Sequence, residues 1–138
     1  MKKYLGIIAA ALLSVSAIVN AGQDVVAASA VRAATYTSSD IYKTTERVVH
    51  IIVRVTAVPG GDTVTPKIQA KDVTGGYYDL LVGTTSATTG TQVLKLGQGI
   101  GIVAAGAAAD MIPDMYRVIV THSAGSNFTY SISRNTGN

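Results

Sequence analysis

The chain has 138 residues, enough for one domain, and no cysteine, which excludes a disulfide framework, thiolate chemistry and cysteine metal sites. Hydrophobic residues make up 48% and charged residues only 14%, with Thr, Val, Ala and Gly in place of the Glu and Lys that sustain long helices. The formal charge of +3 includes Lys2 and Lys3; from residue 22 onward nine basic and eight acidic groups remain, scattered singly, so the clustered basic stripe that nucleic acid demands is missing.

Residues 1–21, MKKYLGIIAAALLSVSAIVNA, place two lysines before an apolar run from Leu5 to Val19. Val19 and Ala21 put small residues where a signal peptidase cuts, so the segment has the shape of a secretory signal. It is short and rich in Ala and Ser for a membrane span, which takes about 20 apolar residues. A retained helix docking on a neighbouring subunit and a membrane anchor are the other two readings. Residues 22–34, GQDVVAASAVRAA, read as a small-residue connector.

From Thr35 the pattern has period two. Thr35–Thr37 suggest a first strand, ended by Ser38-Ser39-Asp40. Glu46–Val58 is the longest alternating segment: Val49, Ile51, Val53, Val55 and Ala57 form one apolar face, and Val48, His50, Ile52, Arg54 and Thr56 the other. Pro59-Gly60-Gly61-Asp62 is a turn, because Pro presets φ and Gly permits positive φ. Thr63–Val73 follows as a strand with Val64, Ile68 and Ala70 inward. Pro66 cannot donate to a ladder, so this strand is expected at an edge or with a bulge.

Thr74-Gly75-Gly76 turns the chain into a strand over Tyr77–Val82, with Tyr78, Leu80 and Val82 on one face. Thr84–Gly90 reads as a loop and Gln92–Leu96 as a strand. Gly97–Asp110 lacks polarity and period, and is expected as a long connection with a helical turn through Ala104–Ala109. Asp114–His122 alternates again with Tyr116, Val118 and Val120 on one face. Ser123-Ala124-Gly125-Ser126 is a hairpin turn before a last strand carrying Phe128, Tyr130 and Ile132.

These segments predict an all-β, two-sheet antiparallel sandwich, Ig-like or jelly-roll, of about seven or eight strands. The domain is expected over residues 35–134, after the hydrophobic, helical segment 1–21 and connector 22–34, and before a polar tail at 135–138.

Reactive constellations are sparse. His50 and His122 each sit inside a strand among apolar and basic neighbours, which reads as strand-face histidine and not as metal ligation. The acidic residues Asp24, Asp40, Glu46, Asp62, Asp72, Asp79, Asp110 and Asp114 form no D-x-D pattern or EF-hand loop. Asp62, Asp72 and Asp114 fall at turns or strand ends, where Asp caps backbone groups. No G-x-S-x-G elbow is present. Gly97-Gln98-Gly99-Ile100-Gly101 lacks the following helix that a phosphate-binding loop requires. Asn127-Phe128-Thr129 matches a glycosylation sequon. Tyr77 and Tyr78 point to opposite faces and make no stacking platform. No catalytic, cofactor-binding or metal residue is assigned.

Val58–Leu81 (VPGGDTVTPKIQAKDVTGGYYDLL) and Met111–Ser133 (MIPDMYRVIVTHSAGSNFTYSIS) resemble a family of small capsid-associated proteins of tailed bacteriophages. The likeness spans Val31 to Ser133 and lies in strand-turn-strand patterns. It implies a β-sandwich that decorates or cements a capsid at the virion surface, with no catalytic residues and no cofactor. The partners it implies are further copies of the chain and other capsid or fibre proteins, with no nucleic acid and with membrane contact only through residues 1–21. The signal-like start departs from that family. An exported surface or periplasmic domain, an adhesin or fibre subunit cut after Ala21, is the alternative, with residues 23–37 available as a donor strand. A hydrolase is the third reading, and it requires a histidine or clustered carboxylates in one pocket.

Overall fold

The computed structural model describes residues 22–99, 106–108 and 110–137. Every regular element among them is a strand: β1 (Gln23–Arg32), β2 (Tyr36–Thr37), β3 (Ile41–Tyr42), β4 (Val48–Ala57), β5 (Val64–Lys71), β6 (Tyr77–Val82), β7 (Gly90–Gly97), β8 (Ala107–Ala108), β9 (Met115–His122) and β10 (Phe128–Gly137). They form two sheets. One runs β1-β10-β4-β7-β8, and the other β2-β9-β5-β6 with β3 also on β9. Pairing is antiparallel except for β8, which lies parallel to β7. The described residues are thus all-β in two facing sheets; the expected helical segment 1–21 lies outside them.

The pairing is nested. β5 pairs β6, β4 pairs β7, β2 pairs β9 and β1 pairs β10. The chain therefore doubles back at the β5–β6 turn, and each earlier strand finds a later partner. Asp72 builds that turn: its Oδ1 accepts from the backbone N–H of Thr74 (2.7 Å) and Gly76 (2.9 Å). This is the Asx capping expected of an aspartate at a turn.

The core lies between the sheets. Val49, Ile51 and Val53 of β4 and Phe128, Tyr130 and Ile132 of β10 are wholly buried from one side. Val64, Ile68 and Ala70 of β5 and Tyr116, Val118 and Val120 of β9 are wholly buried from the other. Each of these larger apolar side chains contributes roughly 1.5–3 kcal/mol on burial. The alternation over β4, β9 and β10 dictates this, because side chains two apart share a face of a strand. Ala57, expected inward, is exposed at the end of β4.

Several expectations are corrected. Residues 22–34 are not a connector, since Gln23–Arg32 form β1 and pair with β10. As an edge strand β1 buries little, so it lacks the alternation that marks its neighbours. The C-terminal boundary moves as well: β10 runs on to Gly137, pairing Asn135, Thr136 and Gly137 with His50, Val49 and Val48. β5 is not an edge strand, because β9 and β6 flank it. Pro66 is tolerated there because its carbonyl accepts from Gly83 N–H (2.8 Å) just beyond the end of β6. In an antiparallel pair a residue's nitrogen and oxygen face the same neighbour, so the missing N–H falls where β6 has ended.

The bulge lies in β6. Ile68 pairs Leu81 while Gln69 pairs Asp79, which leaves Leu80 as an extra residue. The phase shifts there, so Leu81 enters the core beside Ile68 and Val82 turns outward beside Lys67, in place of the expected Tyr78-Leu80-Val82 face; Tyr78, across from the buried Ala70, is exposed at the rim. Of the stretch expected as a helical turn, Ala107–Ala108 are extended and pair with Lys95 and Leu96.

Candidate functional site

Sheet edges meet on one side of the sandwich. β1 closes the first sheet, while β2 and β3 share the outer edge of β9 in the second. Between them lies a cleft of about 310 Å³, with Asp24, Val25 and Val26 on one lip, Tyr36, Ile41 and Tyr42 on the other, and Arg134 lining its polar part. Val25 is 75% exposed and Tyr42 is 63% exposed, so the lips present apolar surface to solvent. Tyr36 Oη bridges the lips by donating to the Val26 carbonyl (3.2 Å).

The polar groups of this cleft already hold one another. The Arg134 guanidinium pairs with the Asp24 carboxylate, lies 3.5 Å from Glu46 Oε1 and 3.4 Å from Tyr116 Oη. Burial works against the charge of Glu46, yet the Glu46 and Thr44 backbone N–H groups, with Arg134, hold its carboxyl below the usual range. Burial pushes the Tyr116 phenol up. Ser38 Oγ accepts from Val118 N–H (2.9 Å) and donates to the Ser39 carbonyl (2.8 Å). That hydroxyl anchors the β2–β3 segment to β9, and among the described residues it hydrogen-bonds no basic side chain.

The outer face of the second sheet carries a ladder of paired charges. Lys67 pairs with Asp79 (2.8 Å), Gln69 Nε2 donates to Asp79 (2.7 Å), and Arg117 donates twice to Gln69 Oε1. The Arg117 guanidinium stacks 3.5 Å from the centre of the Tyr77 ring, and Tyr77 Oη donates to Asp40 (2.5 Å). Lys71 completes the row with Asp40 (2.8 Å). Hydrogen bonds from Lys71 and then Tyr77 hold the Asp40 carboxyl below its ordinary value.

Arg32 was hidden in the supposed connector. β1 carries two extra residues relative to β10, which shift the register between Val25 and Ala27 and again between Ala27 and Ala30. The Arg32 guanidinium fills the second gap, donating to the carbonyls of Tyr130 (2.6 Å), Ala28 (2.8 Å) and Ala30 (3.0 Å). It lies 4.6 Å from the centre of the Tyr130 ring and 5.0 Å from that of Tyr36. A side chain thus replaces backbone donors where the ladder breaks. Nothing in local spacing announces this, since the gap exists only once β10 is in place.

The two histidines are far apart in role. His122 packs 4.6 Å from Phe128, with Nε2 3.1 Å from Tyr130 Oη. Burial, and then the Arg32 charge, lower its pKa, while burial pushes the Tyr130 phenol up to about 12. His50 faces outward on β4, its pKa lowered by burial and then by Lys95. Among the described residues no carboxylate hydrogen-bonds either ring, and no three metal-ligating side chains converge. Asp62, at the β4–β5 turn, instead accepts from Ser126 Oγ and ties two loops together. Comparison with protein-family models and with curated proteins finds no match to this chain.

Proposed function

We propose that the chain is a non-enzymatic virion structural subunit that decorates or cements a phage capsid through contacts between subunits. The observation that carries this reading is the nested pairing of β1–β10, β2–β9, β4–β7 and β5–β6 in two facing sheets. A long hairpin rolled up in this way is the strand order of a jelly roll, so of the two sandwich types expected that is the one we adopt. Jelly rolls serve as viral capsid domains, among other uses. Fold alone does not assign a role. The likeness of residues 58–81 and 111–133 to phage virion proteins supplies the particle. The open side supports contact chemistry, since it offers exposed Val25, Val31 and Tyr42 while its charges are mutually paired.

Immunoelectron microscopy of gradient-purified particles, with antibody against the chain, tests the proposal. Regular labelling over the capsid surface is expected; particles that carry none of the protein refute it. The lysine pair and apolar run of residues 1–21 favour a second reading, an exported surface or fibre subunit. Intact mass of the native protein separates the two. A chain beginning at Gly22 supports export, and a chain that retains residues 1–21 supports assembly in the cytoplasm.

A further inference from the structure

We infer that β1 is exchanged between copies, so that β1 of one subunit lies against β10 of the next. This deepens the reading above by naming a second copy of the chain as the partner and one strand as the joint. β1 is the outermost of the nested pairs, so its release opens no other strand pair. It also takes little from the core. Ala27 is its one buried side chain and Val26 packs partly against the core, while Val25 and Val31 are 75% and 63% exposed.

The strand carries its own brace. Two of the three carbonyls held by Arg32, those of Ala28 and Ala30, belong to β1 itself. Besides the backbone ladder, which its two bulges interrupt, the links that cross to β10 lie toward the ends of the strand: Arg32 to the Tyr130 carbonyl, Asp24 to Arg134, and Thr136 N–H to the Gly22 carbonyl. Every one of them, ladder included, re-forms unchanged against the β10 of another copy, which is why exchange of an identical element is a low-cost route to dimers once the strand is released. Ala33–Thr35 cross from one sheet to the other, a hinge of about 10 Å when straightened. The alternative use of this edge, pairing side by side with a foreign strand, is opposed by the two bulges, which break the regular row of free backbone groups.

The absence of native cysteine makes the test direct. Val31 and Thr129 are facing residues on β1 and β10. Facing residues of antiparallel strands lie about 4.5–5.5 Å apart at Cα, within disulfide reach. Full-length Val31→Cys and Thr129→Cys single variants are mixed, oxidised and read by non-reducing gel and intact mass. Exchange predicts that mixed disulfide dimers exceed both homodimers several-fold, and that the double variant forms covalent oligomers that grow with protein concentration. A mixture without that excess, or a double variant that closes within one chain at every concentration, overturns the inference. Neither outcome depends on particles, so particle labelling can fail or succeed independently.

Discussion

Replacing Arg32 with alanine removes the side chain that fills the broken β1–β10 ladder. Three carbonyls lose a charged donor, at 2.6, 2.8 and 3.0 Å, and two aromatic rings lose a cation. The bond to Tyr130 is the one that crosses strands and is partly buried; bonds to charged groups of this kind contribute about 1.5–3 kcal/mol. The bonds to Ala28 and Ala30 are exposed and add less. Each ring contact adds about 0.5–1 kcal/mol at a partly exposed site. Since water replaces part of this after truncation, the expected loss is about 2–4 kcal/mol, or a fall in Tm of roughly 10 °C for a domain of this size. Arg32→Lys keeps the charge without the planar fork and is expected to restore about half. Urea titration of both variants, followed by far-UV circular dichroism, measures the difference at unchanged m-value. A loss below about 0.5 kcal/mol, or a lysine variant as stable as the parent, refutes the assignment of Arg32 as the brace of this ladder.

Ile132→Ala opens a cavity at a wholly buried position of β10, and chemical denaturation should show a loss of about 2–5 kcal/mol. Gly97→Ala puts a Cβ 2.5 Å from the Arg47 carbonyl and 2.9 Å from Val48 Cα, backbone atoms that cannot swing aside. A destabilisation of about 1–3 kcal/mol is expected in the same assay, whereas Gly60→Ala, with open space around it, should be silent. Acid should weaken the fold in two stages. His122 is held below its ordinary value of 6.5, so its contribution is complete above that pH and is lost as pH falls through the lowered folded value; His50 is lowered too, so His122→Phe should diminish this stage in thermal melts and leave the His50 part. Asp40 is likewise held below 3.8, so its contribution persists above that pH and disappears only as pH falls through the folded value; Glu46, Asp72 and Asp79 are lowered as well, so Asp40→Asn should reduce that last stage without removing it and leave the first stage unchanged.

The residues of β4, β9 and β10 announce their conformation and inward faces by themselves, because period-two alternation is a local property of a half-buried strand. The turns at Pro59–Asp62 and Thr74–Gly76 are equally local, resting on Pro and Gly dihedrals and on the Asp72 cap. β1 could not be read this way. Its ten residues bury one side chain, so the pattern that identifies a strand is missing, and only the carbonyls and N–H groups of β10 make it one. Pro66 misled for a related reason: whether its missing N–H matters depends on where β6 ends, which is set across the sheet. The extra Leu80 reversed the face of Leu81, since one inserted residue flips every side chain beyond it. The candidate site shows the same division. Composition and spacing excluded thiol and zinc–cysteine chemistry and left a contact module in view. The cleft, the Arg134 network and the Arg32 brace join residues about a hundred positions apart, and distances of that kind are decided by which strands pair.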